Sequence, residues 1–366
     1  MRIATCLIAL LSISAPASAD VLTIVSFNVE NLFDTENDPG NPRDDTYLPL
    51  TVKQVNQAAH DAECEVHNGP SGFYSDQCKT LDWSDAVYSQ KLDRLGETIL
   101  AMGALPEVII VPETENARVL EDLVSQTLPG SGYRVVQLDT SDEPESRGID
   151  VGLLTTLPAA GAPTAHVIDF DRDEETCGKT RDILQVPLEL PDGETLHVFG
   201  VHFPSGGNPY RCRIRAMNNL NTLVAGLPVG SLSIAAGDFN VNCNEGPTDS
   251  FSRLLRIGNW YASPLVRSGC EAPGSSKFVD RFVNNWNTWS FLDMILVSST
   301  LSPSQPSDKN WFADLGSFSS MVVTSEQIMV DEDNRGFIEP RRFDPTTGRG
   351  VSDHFPVVMR LISRRD

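Results

Sequence analysis

The sequence predicts an α/β domain in which helices cover the faces of β-sheets. Short apolar, β-branched runs recur along the whole chain, and amphipathic stretches of helical period stand between them. The 366 residues hold no internal repeat, low-complexity tract or Gly/Ser linker that would divide them, so one large domain is expected.

Residues 21–27, VLTIVSF, read as a buried strand. A polar stretch over about 34–83, rich in Asp, Asn, Pro and Gly, reads as a rim insertion. From Ser84, the residues Val87, Lys91/Leu92, Leu95, Ile99 and Met102 form one helical stripe that ends at Gly103. Residues 107–111, EVIIV, give a second buried strand, and a helix follows over about 116–128, stopped by Pro129-Gly130. Strands are expected at 133–138, 150–155, 183–190, 195–201, 232–236, 290–298 and 355–361, with helices around Ile214–Leu223 and 248–257. The Ser- and Asp-rich stretch 301–347 reads as another rim excursion.

The first 19 residues combine Arg2, an apolar run from Ile3 to Ile13 and the ending Ala17-Ser18-Ala19. This is the pattern of a secretory signal cut after Ala19, so a periplasmic or extracellular protein is expected. Six of the seven cysteines lie beyond that point, and in an exported chain an even number suggests disulfides. Cys64 with Cys78 is the expected pair, because it closes a polar loop. The net charge of −22 weighs against a protein that holds nucleic acid by a broad basic face. It leaves room for an enzyme that meets phosphates at one small site, where a divalent cation supplies positive charge.

Polar residues collect where the apolar strands end. Asn28 and Glu30 follow the first strand, Glu113 the second, His202 a third, and Asp238-Phe239-Asn240 a fourth; Asp293 and Asp353-His354 precede two others. If strands of opposite sense share sheets, all of these crowd one edge. Oxygen donors such as Asn28, Glu113 and Asp353 suit Mg²⁺, which takes only one or two carboxylates from a protein; Mn²⁺ and Ca²⁺ are the alternatives. The histidines and remaining carboxylates suit orienting a water, taking its proton and holding a phosphate oxygen. No zinc spacing, P-loop or Gly-x-Ser-x-Gly is present. Arg211, Arg213 and Arg215 cannot share one helix face; Arg213 is expected to bind phosphate and the other two to be solvated. Arg147 either binds phosphate or pairs with a rim carboxylate such as Asp150.

The segments SFNVENLF (26–33), PEVIIVPETEN (106–116), RGIDVGLL (147–154), VHFPSGG (201–207), AGDFN (236–240), SFLDMILVS (290–298) and VSDHFPVV (351–358) occur in the order found in the endonuclease/exonuclease/phosphatase family, which the chain resembles along almost its whole length. The resemblance implies a four-layer α/β sandwich: two packed, mostly antiparallel sheets between helices, with the site at one end. It implies Asn28, Glu113 and Asp353 at the cation, His354 paired with Asp293, Asp238 on the attacking water, and Asn240 and His202 on the phosphoryl group. The family's usual Gln-Glu reads Pro112-Glu113 here. The expected activity is that of an exported metal-dependent phosphodiesterase, an endonuclease acting on DNA and perhaps RNA, monomeric and without stable membrane insertion. A sphingomyelinase-like lipid phosphodiesterase or a phosphatase of the same family is the alternative. From another class, the alternative is a binding or toxin-accessory protein that has lost activity.

Overall fold

β-Branched runs with no helical period supply most of the strands, and the helices come from segments whose apolar residues recur every three or four positions. The computed structural model describes residues 20–38, 41, 43–140, 147–178, 180–242, 245, 249–268, 273–280, 286–304, 308–332 and 336–364. The signal-like segment, Cys243 and Cys270 lie outside them. In chain order the elements are β1 (Val21–Ser26), α1 (Leu50–Lys53), α2 (Gln57–Asn68), α3 (Phe73–Thr80), α4 (Asp85–Ala101), β2 (Val108–Thr114), α5 (Ala117–Thr127), β3 (Arg134–Val136) and β4 (Asp150–Thr155). There follow β5 (Thr164–His166), α6 (Glu174–Cys177), β6 (Ile183–Glu189), β7 (Thr195–His202), α7 (Tyr210–Ala225), β8 (Leu232–Asp238), α8 (Asp249–Ile257), β9 (Trp260–Tyr261) and α9 (Pro264–Ser268). The chain closes with β10 (Ser276–Asp280), β11 (Trp286–Ser290), β12 (Asp293–Ser298), β13 (Trp311–Ser320), β14 (Ile328–Asp331), β15 (Phe337–Pro340) and β16 (Val357–Ser363).

Two six-stranded sheets result, ordered β13-β16-β1-β2-β4-β3 and β5-β6-β7-β8-β12-β9. Each is antiparallel except for one parallel pair, β1–β2 in the first and β7–β8 in the second. Their facing side chains, among them Ile24, Ile110 and Leu153 against Val198, Ile234 and Ile295, form the central core. Helices α4 and α5 bury the outer face of the first sheet through Leu92, Leu95, Ile99 and Leu120. Helices α7 and α8 do the same for the second through Met217, Leu220 and Leu254. The four-layer sandwich is thus present, and no helix among the described residues is long and apolar enough to cross a membrane.

Two segments depart from expectation. The stretch 301–347 is not all rim: β13 is an edge strand of the first sheet, paired with β16 across an irregularity between Asp314 and Ser319. Its Ser and Asp residues obscured the strand, but Trp311, Ala313 and Phe318 face inward, which is the alternation that a half-buried strand needs. The polar insertion is helical, with Cys64 on α2 joined to Cys78 on α3 as expected. Lys53, buried beneath it, donates to the carbonyls of Thr46, Cys78 and Leu81. A second disulfide, Cys177–Cys212, ties α6 to α7 and was not foreseen.

Candidate active site

The sheet register assembles the site. In the second sheet, His202 at the end of β7 stands opposite Asp238 at the end of β8, and Asp238 stands opposite Asp293 at the start of β12. Three ionisable residues therefore form a row across three strands, each at most 3% exposed. The close approach of β7 and β8 needs Gly237: its φ is 140°, and a Cβ there would lie 2.0 Å from the Val201 carbonyl oxygen.

The first sheet supplies the facing groups. Past β1 the backbone stays tethered to β2, with Phe27 N–H donating to Ile110 O and Val29 N–H to Pro112 O, which holds Asn28 between them, fully buried. Glu113 sits where the β2–β4 register shifts between Pro112 and Thr114, with φ at 69°. This bulge re-aims its carboxylate, which accepts from Asn28 Nδ2 at 3.3 Å and from the Asn31 N–H at 3.1 Å. Ser352 then links the last motif to the first: its hydroxyl donates to Asn28 O at 2.7 Å and accepts the His354 N–H at 3.1 Å.

Seven of the ten residues expected at the site, Glu113, Arg147, His202, Asp238, Asn240, Asp353 and His354, line a cavity of about 700 Å³. His354 Nδ1 lies 2.6 Å from Asp293 Oδ2, while its Nε2 is 3.9 Å from both Asp238 and Asp353. Burial alone would strip the His354 proton, but the charges of Asp293, Asp353 and Asp238 raise its pKa well above the usual histidine value. His202 is the opposite case: burial, reinforced by Arg181 and Arg147, lowers its pKa and keeps it neutral. Its Nε2 stands 3.7 Å from both Glu113 and Asp238.

The carboxylates also separate in character. Burial pushes Glu113 upward, but surrounding cations, Arg147 foremost, overrule it and hold the carboxyl at about 2. Asp238 is pushed up to about 7, chiefly by burial and further by Asp293, against the opposing pull of His354 and the Asn240 N–H. That N–H donates to Asp238 Oδ1 at 2.8 Å, and Asn240 Nδ2 to Phe203 O at 3.0 Å, leaving one amide hydrogen for a ligand.

The geometry refines one expected role and corrects another. Asn28 is held by both ends of its amide: Oδ1 accepts the Glu30 N–H at 3.0 Å, which uses one of its two lone pairs, and Nδ2 points at Glu113 and Asp238. A flipped amide would set two donors against each other at Glu30, so Asn28 serves as a donor that spaces the two carboxylates. Arg213 does not reach the cavity. It is fully buried, and it donates to the carbonyls of Pro204, Ser205 and Asn208 and to Glu245 at 2.6 Å, so it clamps the loop after β7. Arg211 and Arg215 pair with Asp173 instead of being merely solvated. Arg147 does face the cavity, 3.6 Å from Glu113. Arg181, 8% exposed, and Arg342, 3.3 Å from Asp353, also line it; no motif announced them, because sequence-distant arginines carry no local signal.

A family model described as the Endonuclease/Exonuclease/phosphatase family matches residues 73–363. No curated protein matches the sequence. Among solved structures, an endonuclease/exonuclease/phosphatase family protein from Bacteroides thetaiotaomicron aligns with TM-score 0.54 at 15% identity, over 94% of this chain and 98% of that one. TDP2 from D. rerio, complexed with a single strand DNA product, aligns with TM-score 0.53 at 12% identity, over 93% and 98%. A mannosyl-6-phosphatase from B. thetaiotaomicron gives 0.52 at 17%, over 93% and 99%. At such identities these likenesses establish a common fold and nothing about substrate. Four layers, a catalytic-type cluster at one end of the two sheets and the family match across most of the sequence together make this chain a member of the Endonuclease/Exonuclease/phosphatase family, whose members are hydrolases of phosphoester bonds.

Proposed function

We propose that the protein is an exported phosphodiesterase, dependent on a divalent cation, that cleaves nucleic acid, DNA in the first place. The observation that carries this is the joining, in one cavity, of a charged His354–Asp293 pair, an Asp238 with its pKa pushed up to about 7 and an ionised Glu113. In a chain of net charge −22, Arg147, Arg181 and Arg342 at the same cavity give a local field suited to a polyanion.

The donor chemistry fits a hard cation. Glu113 is ionised and Asp353 is one-third exposed at the cavity, and one or two carboxylates are what Mg²⁺ commonly takes. Glu113 and Asp353 would hold the cation, which when bound would polarise a phosphate oxygen and offset its charge. Among the described residues the one three-residue group with ligand atoms within 4.8 Å is His60, Cys64 and Cys78, and its cysteines are already a disulfide.

The chain's own groups divide the remaining work. Asp238, held by Asn28 Nδ2 at 3.1 Å and by the Asn240 N–H, takes the proton of the attacking water at a carboxylate oxygen. His354, fixed by Asp293, presents a charged Nε2–H to the phosphoryl or leaving oxygen, and neutral His202 and the free Asn240 N–H bind the other oxygens. The test is a substrate panel with Mg²⁺: single-stranded and duplex DNA, RNA, sphingomyelin vesicles and a hexose 6-phosphate. DNA should be cut with the highest kcat/KM. Release of phosphocholine or inorganic phosphate with intact nucleic acid would transfer the assignment to the lipid or phosphatase branch, and silence on all substrates would favour a binding protein.

A further inference from the structure

Beside the active-site cavity lies a second one of about 510 Å³, built largely by the helical insertion. The two share walls: Asn31, Arg43, Asn68, Tyr74, Arg147 and Arg342 line both. Its floor is a fixed aromatic set in which Phe33 and Trp83 are buried, 1% and 2% exposed, and Tyr47 is the partly exposed member. Phe33 stacks on Tyr47 at 4.1 Å with ring planes 5° apart, and Trp83 meets Tyr47 edge-on at 5.3 Å. The Trp83 indole N–H is anchored to Phe33 O, so this floor is rigid. At the mouth, Phe73 and Tyr74 of α3 are 69% and 63% exposed, an unusual display of two adjacent aromatic rings on a polar lobe.

Polar groups without partners complete the lining. The Tyr47 hydroxyl and the side-chain amides of Asn31, Asn68 and Gln77 meet no hydrogen-bond partner among the described residues. Arg147 and Arg342 stand on the boundary, close to where the phosphate would lie. Tyr47, Phe73 and Tyr74 offer the accessible aromatic surface for a planar ring, amides read donor and acceptor edges, and guanidiniums bind phosphate oxygens. An acyl chain would leave these amides and guanidiniums desolvated and unpaired. A nucleotide offers all three features, and the volume is that of a small-ligand pocket.

We infer that this cavity is a subsite seating the base of the nucleotide next to the scissile phosphodiester, on an unpaired strand whose base is free to turn outward. The inference rests on the nucleic-acid reading above and adds where the flanking base binds. It also gives the insertion a function, since α2 and α3 with their disulfide hold Asn68, Phe73 and Tyr74 in place.

The test compares, with Mg²⁺, a single-stranded oligonucleotide and the same backbone carrying abasic sugars, with methyl p-nitrophenyl phosphate as a base-free diester. The wild type should cut the base-bearing strand with kcat/KM about tenfold to a hundredfold above the abasic one, the span that stacking of a base gives. In Phe73→Ala/Tyr74→Ala, both residues being exposed and tolerant of change, that ratio should fall toward one. Equal rates on the two strands in the wild type, or an unchanged ratio in the double variant, would overturn the subsite while nuclease activity stands. Hydrolysis of the small diester with neither strand cut would overturn the nucleic-acid reading itself, and the subsite with it.

Discussion

His354 reaches Asp293 through Nδ1 and the cavity through Nε2, so the buried carboxylate fixes both the orientation and the charge of the ring. Asp293→Asn keeps the shape and removes the charge. We expect kcat/KM to fall roughly 10²–10⁴-fold, the range of a lost acid–base partner, with circular dichroism unchanged. A second residue-scale prediction concerns Asp44, 1% exposed in the helical insertion. Burial, with Asp45, Asp38 and Asp34 nearby, pushes its carboxyl from 3.8 up to about 8. A raised acid pKa means that the folded state holds the proton more tightly. The stabilisation is complete below pH 3.8 and is lost as pH rises toward about 8, at up to about 1.4 kcal/mol per pH unit. Urea midpoints should therefore fall less between pH 5 and pH 8 for Asp44→Asn than for the wild type; equal falls would show that Asp44 does not titrate in this window.

At the scale of elements, the strands were legible wherever β-branched residues ran together, as in VLTIVSF and EVIIV, because burial on both faces favours near-continuous apolar runs. β13 was not, since an edge strand keeps polar residues on one face and its WFADLGSFSS resembles a loop. The Asp353-His354 pair was legible because its members are adjacent in sequence. The buried clamp of Arg213, the orientation of the Asn28 amide and the placement of Arg181 were not, because each depends on contacts between distant segments. Gly237 connects element to site: the parallel β7–β8 pair aligns His202 with Asp238 and leaves no room for a methyl group. Gly237→Ala should destabilise the fold by roughly 1–3 kcal/mol and reduce kcat beyond what the unfolded fraction explains, as read by urea titration alongside assay. Full activity in a stable variant would mean that this register is not needed.

Across the whole molecule, two sheets carrying no function of their own bring residues from both ends of the chain to one edge, with Asn28 and His354 joined through Ser352. The chain carries a net charge of −22, and Arg147, Arg181 and Arg342 collect at the cavity on that edge. The most direct measurement is nicking of supercoiled plasmid by the purified protein with Mg²⁺, in parallel with a chelator and with His354→Ala. Nicked circles that disappear with the chelator and fall at least about a hundredfold with His354→Ala are the predicted result. An intact plasmid, or nicking indifferent to His354, would contradict it.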